Sequence, residues 1–337
     1  MPAVLEMAAW KGLGSEVIVV DDASTDDSLE FLASRYPEVT VVRMAQRGSF
    51  LGAANEGFRR ASNHHVALLS NDMAPARHFL EKLLEHFDDS SVFAVHSGIL
   101  TPDGQLQSDR AIGRFFLGNF KILNTAQPHR GLARWLLPSR RSRFSLFTGS
   151  CAVFDRDKFF QLGGLDSMYL PFYWEDVDLC FRAWKKGWKT VSEPDVTLVH
   201  HHDECGTIRN NFQRNYIRNV ERRNRFLFLW SNIDSPVYLA VHLAYLVVSL
   251  LVSWLIGRFG FYASFLGALR RLPAVFERRR ARADETLCDE DVFAMVLDDA
   301  AHAAGIEELT RKSAPPATAQ ETPAVGGLEI VRPVGQS

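Results

Sequence analysis

The sequence has few cysteines and no marked excess of either charge. Four of its 337 residues are cysteines, and none forms a Cys-x-x-Cys pair, so neither a zinc site nor a disulfide framework is predicted. Reduced thiols in a cytosolic protein are expected instead. The formal net charge is −2 and 47% of the residues are hydrophobic, which excludes a disordered chain and a collagen-like repeat. A chain of this length can bury a substantial core.

The sequence also lacks a secretory signal at its amino terminus, and its basic residues are unevenly placed. Residues 1–10 have neither a basic start nor a long apolar run. Between Gly257 and Arg282, however, seven arginines stand against a single acid, Glu277. This excess predicts an anionic surface as partner. Because the arginines lie beside an apolar run rather than on a folded basic face, no nucleic-acid partner is predicted.

Strand-like and helix-like segments alternate along the first half of the chain. An apolar run from Glu16 to Val20 ends in Asp21-Asp22, as expected for a strand buried on both faces. The alternation continues with strands predicted at 39–44, 66–70 and 93–99, and helices at 24–36, 53–61 and 75–87, the first capped by Ser24 or Thr25. This pattern predicts an α/β fold whose mostly parallel sheet is flanked by helices. Ligands of such sheets bind at the carboxyl ends of the strands.

The second half of the chain gives a weaker pattern. Residues 103–145 mix glycine, arginine and aromatic residues without a clear period, and we interpret them as a loop-rich insertion. A strand over 145–154 that carries Gly149 follows, and then helices over 155–162 and 176–186. The globular part is predicted to end near Trp230, and the Pro, Ala and Thr-rich residues beyond 313 are predicted to be a disordered tail.

A long apolar segment separates these parts. Residues 237–256 carry no charged side chain, and a helix of that length spans about 30 Å, the thickness of the hydrocarbon core of a bilayer. Arginines on both flanks oppose a simple crossing. We therefore favour an in-plane or re-entrant helix on the inner leaflet, with 259–276 as an amphipathic continuation and the arginines on lipid headgroups. A spanning helix and a buried or dimer-forming helix remain alternatives.

Two acidic groups follow predicted strands. The carboxylates of Asp21 and Asp22 could bind the base or ribose of a nucleotide, although helix capping by Ser24 and Asp26 would explain the same pattern. Asp72 closes the segment Leu-Leu-Ser-Asn-Asp and could hold a hard divalent cation that also binds a pyrophosphate. A simple turn residue is the alternative reading of Asp72.

Two further groups lie in the second half. Glu175 and Asp176 start a predicted helix behind three aromatic residues, whose faces suit a sugar, and a carboxylate there could take a hydroxyl proton. Capping and compensation of the helix dipole are the alternative. His200 belongs to a run of three histidines, of which at most two can serve one site on an extended segment. An imidazole could complete a cation site begun by Asp72, or the run could be plain surface.

Taken together, the order and spacing of these groups resemble the family 2 glycosyltransferases with the GT-A fold. The resemblance covers about Val17 to Asn232 and is most specific at Trp174-Glu-Asp-Val-Asp. It is carried by the segments 19–26 (VVDDASTD), 47–57, 68–72 (LLSND), 148–151 (TGSC), 163–166 (GGLD), 174–179 (WEDVDL) and 199–201 (VHH).

The resemblance implies a role for each matching residue. Asp176 would be the general base, and Asp72 and His200 would hold Mg²⁺ or Mn²⁺. The nucleotide-sugar donor would contact Asp21, Asp22, Ser24, Asn55 and Asn71. The acceptor would be positioned by Gly149, Trp174 and Glu175. Ser70 stands where the metal motif usually has Asp or Asn.

The implied reaction is a single in-line displacement with inversion at the anomeric carbon. The acceptor would be a hydroxyl of a cell-surface glycan or a polyprenyl-linked sugar, at the cytoplasmic face of the inner membrane, with the protein peripheral or monotopic there. The implied organisation is a glycosyltransferase domain over 1–232, a membrane-associated helical segment over 233–282, a short helical segment over 283–312 and a tail over 313–337. A non-catalytic scaffold or binding subunit is the alternative function.

One departure from the family concerns the start of the fold. The family begins with an apolar strand and a turn, whereas here Met1 leads directly into a predicted helix over 2–10. The absent strand would lie inside the sheet, between the strands that end at Asp21 and Ser70, and would leave two rows of backbone groups unpaired. The hypothesis is a start truncated by about a strand and a turn.

Overall fold

The computed structural model describes residues 1–126, 143–149, 151–201, 208–282 and 285–297. The strands in these ranges are β1 (Ile18–Asp21), β2 (Thr40–Arg43), β3 (His65–Leu69), β4 (Met73–Pro75), β5 (Val92–Leu100), β6 (Leu106–Ser108), β7 (Ala111–Phe116), β8 (Asn119–Asn124), β9 (Cys151–Asp155) and β10 (Lys189–His200).

Helices alternate with these strands and then follow them. They are α1 (Pro2–Ala8), α2 (Ser28–Arg35), α3 (Ser49–Arg60), α4 (Phe79–Leu84), α5 (Arg156–Gln161), α6 (Glu175–Lys185), α7 (Ile208–Asn211), α8 (Arg214–Asn232), α9 (Pro236–Leu255), α10 (Gly260–Leu269), α11 (Leu272–Arg280) and α12 (Asp289–Leu297). The predicted α/β class with an apolar carboxy-terminal helix is confirmed.

The main sheet is mixed, so the prediction of a mostly parallel sheet is wrong. Its order is β3-β9-β5-β10-β4, with β6 paired to β5. Only β5 and β10 pair in parallel there; β9 is antiparallel to both β3 and β5, and β4 is antiparallel to β10. Two neighbouring parallel strands need a long crossover connection, usually a helix, between them. β9 instead begins after the segment that follows the hairpin of β7 and β8. β4 follows β3 directly, without such a crossover.

A second, smaller sheet lies apart from the first. β1 and β2 pair in parallel with each other, and within the described residues neither pairs with the larger sheet. The two sheets are therefore not joined by backbone hydrogen bonds in the part of the chain that the structure describes.

Helices cover both faces of the main sheet with separate apolar clusters. Along β9, Val153 belongs to one cluster together with Met7 and Phe79, whereas its neighbour Phe154 belongs to the other together with Phe58. Successive side chains of a strand point to opposite faces, so the two clusters lie on opposite sides of the sheet.

Several element boundaries differ from the predictions. Helix α2 begins at Ser28 rather than Ser24, because Ala23 has a positive φ of 56° and the Ser24 amide donates to the Asp21 carboxylate instead of starting a helix. Pro75 ends a strand rather than starting a helix. Gly149 has a φ of 69° and precedes β9 instead of lying within a strand.

The segment 103–145 contains strands, so its interpretation as a loop-rich insertion is wrong for the described part. β7 and β8 form a hairpin in full register. Its two-residue turn is Leu117-Gly118, with φ values of 47° and 73°, the left-handed geometry that hairpin turns favour. Residues 127–142 lie outside the described part.

The long apolar helix α9 packs along one side on the globular part. Tyr238 stacks on Phe115 of the hairpin, His242 bonds to the Gly118 carbonyl, and Leu246 is buried. The other side is exposed, with Leu251 63% and Leu255 80% accessible. The helix is long and apolar enough to cross a membrane by length and composition, with a mean hydropathy of 2.0 over its most apolar window.

Three of the seven clustered arginines bind carboxylates of the protein. Arg278 pairs with Asp166, and Arg279 and Arg282 pair with Asp234. These three are therefore wrongly predicted to lie on lipid headgroups. Arg258, Arg270 and Arg280 are exposed.

Candidate active site

Asp72 and His200 are brought together by the antiparallel pairing of β4 and β10. His200 stands opposite Met73 in the register, so it lies beside Asp72 at the end of the sheet. Its Nε2 atom is 3.0 Å from Oδ2 of Asp72. The other carboxylate oxygen, Oδ1, is buried and has no hydrogen-bond partner among the described residues.

These two side chains fit a divalent cation. A buried carboxylate oxygen without a partner is costly in an apolar setting unless a cation or donor binds it. Carboxylate oxygen and imidazole nitrogen are both ligands of Mn²⁺, and carboxylate oxygen suits Mg²⁺. Within the described residues no group of three or more His, Cys, Asp or Glu side chains converges. A cation held by this pair would thus take most of its ligands from substrate and water.

Glu175 and Asp176 begin helix α6 after a turn of unusual backbone geometry. Tyr173 and Trp174 both have positive φ values, 71° and 79°, although neither is glycine. Burial raises the pKa of Asp176 to about 6. Hydrogen bonds to its carboxylate from backbone groups that include Gly149 act in the opposite direction and lower this pKa. Burial and then the charge of Asp176 raise the pKa of Glu175 to about 8. Raised carboxyl pKa values of this kind suit proton transfer near neutral pH.

Cys151 lies within electrostatic reach of both groups. Burial, and after it the charges of Asp176 and Asp72, raise the pKa of its thiol to about 12. Cys151 starts β9 opposite Leu69, the last residue of β3. Asp176, the candidate general base, and Asp72, the candidate metal ligand, therefore lie at the same end of the sheet.

Asp21 and Asp22 lie at the end of β1, where both carboxylates accept backbone hydrogen bonds. The Ser24 amide donates to Asp21 at 3.3 Å, and the Gly48 amide donates to Asp22 at 2.5 Å. A Cβ on Gly48 would meet Met44 Cε at 2.7 Å, so the flexible end of the Met44 side chain would have to move for any larger residue there. Asp21, Asp22, Ser24 and Asn71 line the same cavity of about 1000 Å³, so four of the five predicted donor contacts are brought together.

Asn55 is placed differently. Its amide nitrogen donates to the Leu165 carbonyl at 2.9 Å, and its oxygen accepts from the Leu165 amide at 3.0 Å. Both ends of the side chain are engaged, so the structure favours a role in holding the 163–165 loop rather than in donor binding. Trp174 is 7% exposed and packs against Phe228, which leaves little of it for a ligand.

Asp178 lies in the first turn of α6 and has a structural role. Its side chain is fully buried and pairs with Arg182 at 2.7 Å. Despite burial, the charges of Arg182 and Arg278 lower its pKa. Its position ties α6 to α8 through Asn232 and to α11 through Arg278.

Asn224 is a positioning residue that the sequence does not single out. Its buried amide nitrogen donates to the carbonyls of Tyr169, Phe172 and Tyr173, at 2.6, 2.8 and 2.8 Å. Asn224 thereby holds the turn that leads into Glu175. In the sequence Asn224 stands between Arg223 and Arg225, so it does not differ in character from its polar neighbours.

Comparison with known sequences gives a family match for the first part of the chain. Residues 3–162 match the sequence profile described as glycosyl transferase family 2. These residues, slightly under half of the chain, belong to glycosyl transferase family 2. The match includes β1, Asp72 and α5, and α6 and β10 follow it.

Similar proteins include two from Mycobacterium tuberculosis. A pre-mycofactocin glycosyltransferase is 28% identical over 56% of this chain and 38% of its own length. An N-acetylglucosaminyl-diphospho-decaprenol L-rhamnosyltransferase is 27% identical over 55% of this chain and 66% of its own length. The chain thus spans less than two thirds of these family 2 relatives. A crystal structure of GalNAc-T7 with UDP, GalNAc and Mn²⁺ aligns with 65% of this chain and 42% of its own, with a TM-score of 0.48 at 17% identity.

Proposed function

We propose that this chain is a metal-dependent glycosyltransferase with the GT-A fold, which transfers a sugar from a nucleotide donor to a hydroxyl group with inversion at the anomeric carbon. The observation that carries the proposal is the placement of Asp72, which contacts His200, and of Asp176 near the same residue, Cys151, at one end of the sheet. Family membership and the names of the relatives support the reaction class.

Different residues have different roles in the proposed reaction. Asp21, Asp22 and Asn71 bind the base and ribose of the donor, with the Ser24 turn holding Asp21 in place. Asp72 and His200 would hold Mg²⁺ or Mn²⁺, and such a cation would neutralise charge on the diphosphate leaving group.

Asp176 accepts the proton of the acceptor hydroxyl. With a pKa of about 6 the carboxylate is mostly ionised at neutral pH, yet basic enough to take a proton as the glycosidic bond forms. Glu175 and Gly149 flank this carboxylate, and we assign them to the acceptor side of the site.

We place the acceptor at a membrane surface. The exposed side of α9 and the exposed Arg258, Arg270 and Arg280 form an apolar and basic face. Contacts along one side of α9 support a helix lying in the plane of an anionic membrane surface rather than crossing it. The name of the decaprenol-dependent relative supports a polyprenyl-linked or glycan acceptor at the cytoplasmic face.

The experiment that tests the activity measures nucleoside diphosphate released from a panel of UDP-, GDP- and dTDP-sugars with Mn²⁺. Release that is stimulated by membranes carrying lipid-linked sugars, and lost in Asp176→Asn, supports the proposal. No release from any donor supports the second candidate, a non-catalytic binding subunit, which the separation of β1 from β3 favours.

A further inference from the structure

Helix α8 carries three arginines along one side. Arg218, Arg222 and Arg225 are four and three residues apart, so their side chains lie on one face of the helix. Arg222 and Arg225 are half-buried. The Nε atom of Arg225 is buried and has no hydrogen-bond partner among the described residues. The guanidinium of Arg222 lies over the ring of Phe261, with 5.5 Å between Cζ and the ring centroid. Two guanidinium groups are thus partly withdrawn from water on this face.

Lys121 of the β7–β8 hairpin adds a third positive charge. Burial, and after it the charge of Arg225, lower the pKa of Lys121 and also the pKa of Arg222, so both side chains lie within electrostatic reach of Arg225. Tyr245 of α9 acts electrostatically on both arginines. Its hydroxyl accepts a hydrogen bond at 3.4 Å from Asn119, which lies two residues before Lys121 on the same side of β8. Lys121, Arg222 and Arg225 therefore form one basic cluster between α8, the hairpin and α9.

The basic cluster holds more positive than negative charge. Glu221, an exposed carboxylate of α8, is the acid that favours the protonated forms of all three side chains. Like charges repel more strongly where burial lowers the effective dielectric constant, and a buried N–H group without an acceptor costs free energy. An anion with several oxygen atoms removes both costs, and guanidinium groups bind phosphate in this way. A phosphate monoester or a diphosphate carries more than one negative charge and so matches the cluster better than a phosphodiester.

An exposed aliphatic strip on α9 borders the basic cluster. Val241, Val248 and Val252 lie four residues before, three after and seven after Tyr245, so they share its side of the helix. All three are exposed. Tyr245 is half-buried and lies between this strip and the side of α9 that packs on the hairpin. A molecule with a phosphate head and a hydrocarbon chain therefore contacts both surfaces at once.

We propose that the basic cluster binds the phosphate or diphosphate head of a lipid, whose chain lies along the aliphatic strip of α9. Arg222 and Arg225 donate hydrogen bonds to the phosphate oxygens, and Lys121 supplies a point charge from the hairpin. A soluble phosphate compound would leave the strip exposed, and a neutral lipid would leave the cluster without an anion. The proposal rests on the proposed function only in placing α9 at a membrane surface, and it involves neither the donor site nor the metal.

The test titrates the full chain with farnesyl diphosphate, a soluble lipid diphosphate, by calorimetry in EDTA and without nucleotide. Inorganic pyrophosphate tests the head alone. Arg225→Gln and Lys121→Gln each remove one charge of the cluster, and Arg35→Gln, an exposed arginine of α2, is the matched control. We expect farnesyl diphosphate to bind at least about tenfold more tightly than pyrophosphate. Its Kd should rise about tenfold or more in Arg225→Gln, about threefold in Lys121→Gln, and not at all in Arg35→Gln.

Two further variants locate the probe. Asp72→Ala should leave its binding unchanged, because Asp72 belongs to the candidate donor site. Val248→Asn should weaken it, because the amide replaces an exposed aliphatic side chain of the strip. The readout is binding without donor or metal, so it gives an answer whether or not the chain transfers sugars.

Five outcomes overturn the proposal. No binding of farnesyl diphosphate is the first. Equal Kd values in Lys121→Gln and Arg35→Gln mean that the cluster does not hold the head, and this comparison stands even if Arg225→Gln fails to fold. Pyrophosphate that binds as tightly as farnesyl diphosphate means that the ligand is a soluble phosphate compound. Unchanged binding in Val248→Asn means that the chain does not lie on the strip, and lost binding in Asp72→Ala places the probe at the donor site.

Discussion

Asp176 is the side chain on which the proposed chemistry depends most. It lies at the start of α6, its carboxylate accepts backbone hydrogen bonds, and burial raises its pKa to about 6. A carboxylate with this pKa is ionised above pH 6 and becomes protonated below it. The geometry therefore links the rate of transfer to the protonation state of one group.

Asp176→Asn is expected to lower the rate of sugar transfer by a factor of about 10²–10⁴, because the amide cannot accept the proton. The rate of the unchanged protein should fall as the pH drops through about 6. Released nucleoside diphosphate, measured between pH 5 and 8, gives both results. Asp157→Asn, an exposed carboxylate on α5, is the control and should leave the rate unchanged. A variant with the full rate would remove Asp176 from the mechanism.

Glu175 should make the protein less stable as the pH rises. Its pKa is about 8 in the fold and near 4.5 when exposed, so the folded state favours the neutral carboxyl. This contribution is fully present below pH 4.5 and is lost as the pH rises through 8. Glu175→Gln should therefore raise the free energy of unfolding by at least about 1 kcal/mol at pH 8.5 and by little at pH 4.5. Denaturant unfolding at both values tests this; an equal effect at both would contradict it.

Helices beyond Asn232 are tied to the catalytic core by buried charges. Lys185 of α6 and Asp289 of α12 form an ion pair at 2.7 Å, with side chains 2% and 0% exposed. Asp289 also accepts from the amides of Asp234 and Ser235, each at 2.7 Å. This single side chain therefore joins α12 to α6 and to the start of α9.

Breaking that pair should be costly. Asp289→Asn leaves the buried Lys185 ammonium with only the half-exposed Asp234, 3.2 Å away, as a charged partner, so we expect a loss of up to about 3 kcal/mol in the free energy of unfolding. Glu290→Gln, an exposed change on the same helix turn, is the matched control. Urea unfolding of both variants decides the matter, and equal stabilities would show that the ion pair does not anchor α12.

The exposed side of α9 carries the proposed membrane contact. Leu251→Lys together with Leu255→Lys places two charges on that side without touching buried contacts. Binding to vesicles that contain phosphatidylglycerol should fall at least tenfold, since each aliphatic side chain contributes more than about 1.4 kcal/mol when buried in the interface. Leu106→Lys, on β6, should leave binding unchanged. Equal binding of both proteins in a flotation assay would argue against this face.

The elements that the sequence predicts are those with a strong local period. β1, β3 and β5 are short apolar runs, and α6 has apolar residues at helical spacing. Their positions therefore follow from the order of apolar residues along the chain. The β7–β8 hairpin is not predicted because its turn is Leu117-Gly118, without the asparagine or aspartate that marks such turns. The direction of β9 is not predicted either, because it depends on how the preceding segment returns to the sheet.

The candidate site shows the same division. Asp72 and His200 stand far apart in sequence, and only the register of β4 against β10 brings them to 3.0 Å. The spacing of Asn55 matches a family motif, but its contacts with Leu165 depend on the packing of α3 against the 163–165 loop. Motifs therefore predict which residue types form the candidate site, whereas the contacts of each residue depend on the packing.

At the scale of the whole molecule, the chain combines three regions with different surfaces. One end of the main sheet carries the proposed catalytic groups, and the cavity lined by Asp21, Asp22 and Asn71 carries the proposed donor site. The α9 face lies on the β7–β8 hairpin and exposes apolar side chains. The central claim is that a nucleotide and a divalent cation bind together at Asp21, Asp22, Asp72 and His200.

Nucleotide binding with and without metal tests that claim most directly. The melting temperature is measured with UDP, GDP and dTDP, each with and without Mn²⁺, for the chain, for Asp72→Ala and for the exposed control Asp103→Ala. A ligand at a hundredfold excess over its Kd stabilises the fold by about 2.7 kcal/mol. We predict a metal-dependent rise with one nucleotide that Asp103→Ala retains and Asp72→Ala loses. No rise with any nucleotide, or an equal rise in Asp72→Ala, would contradict the proposed donor site.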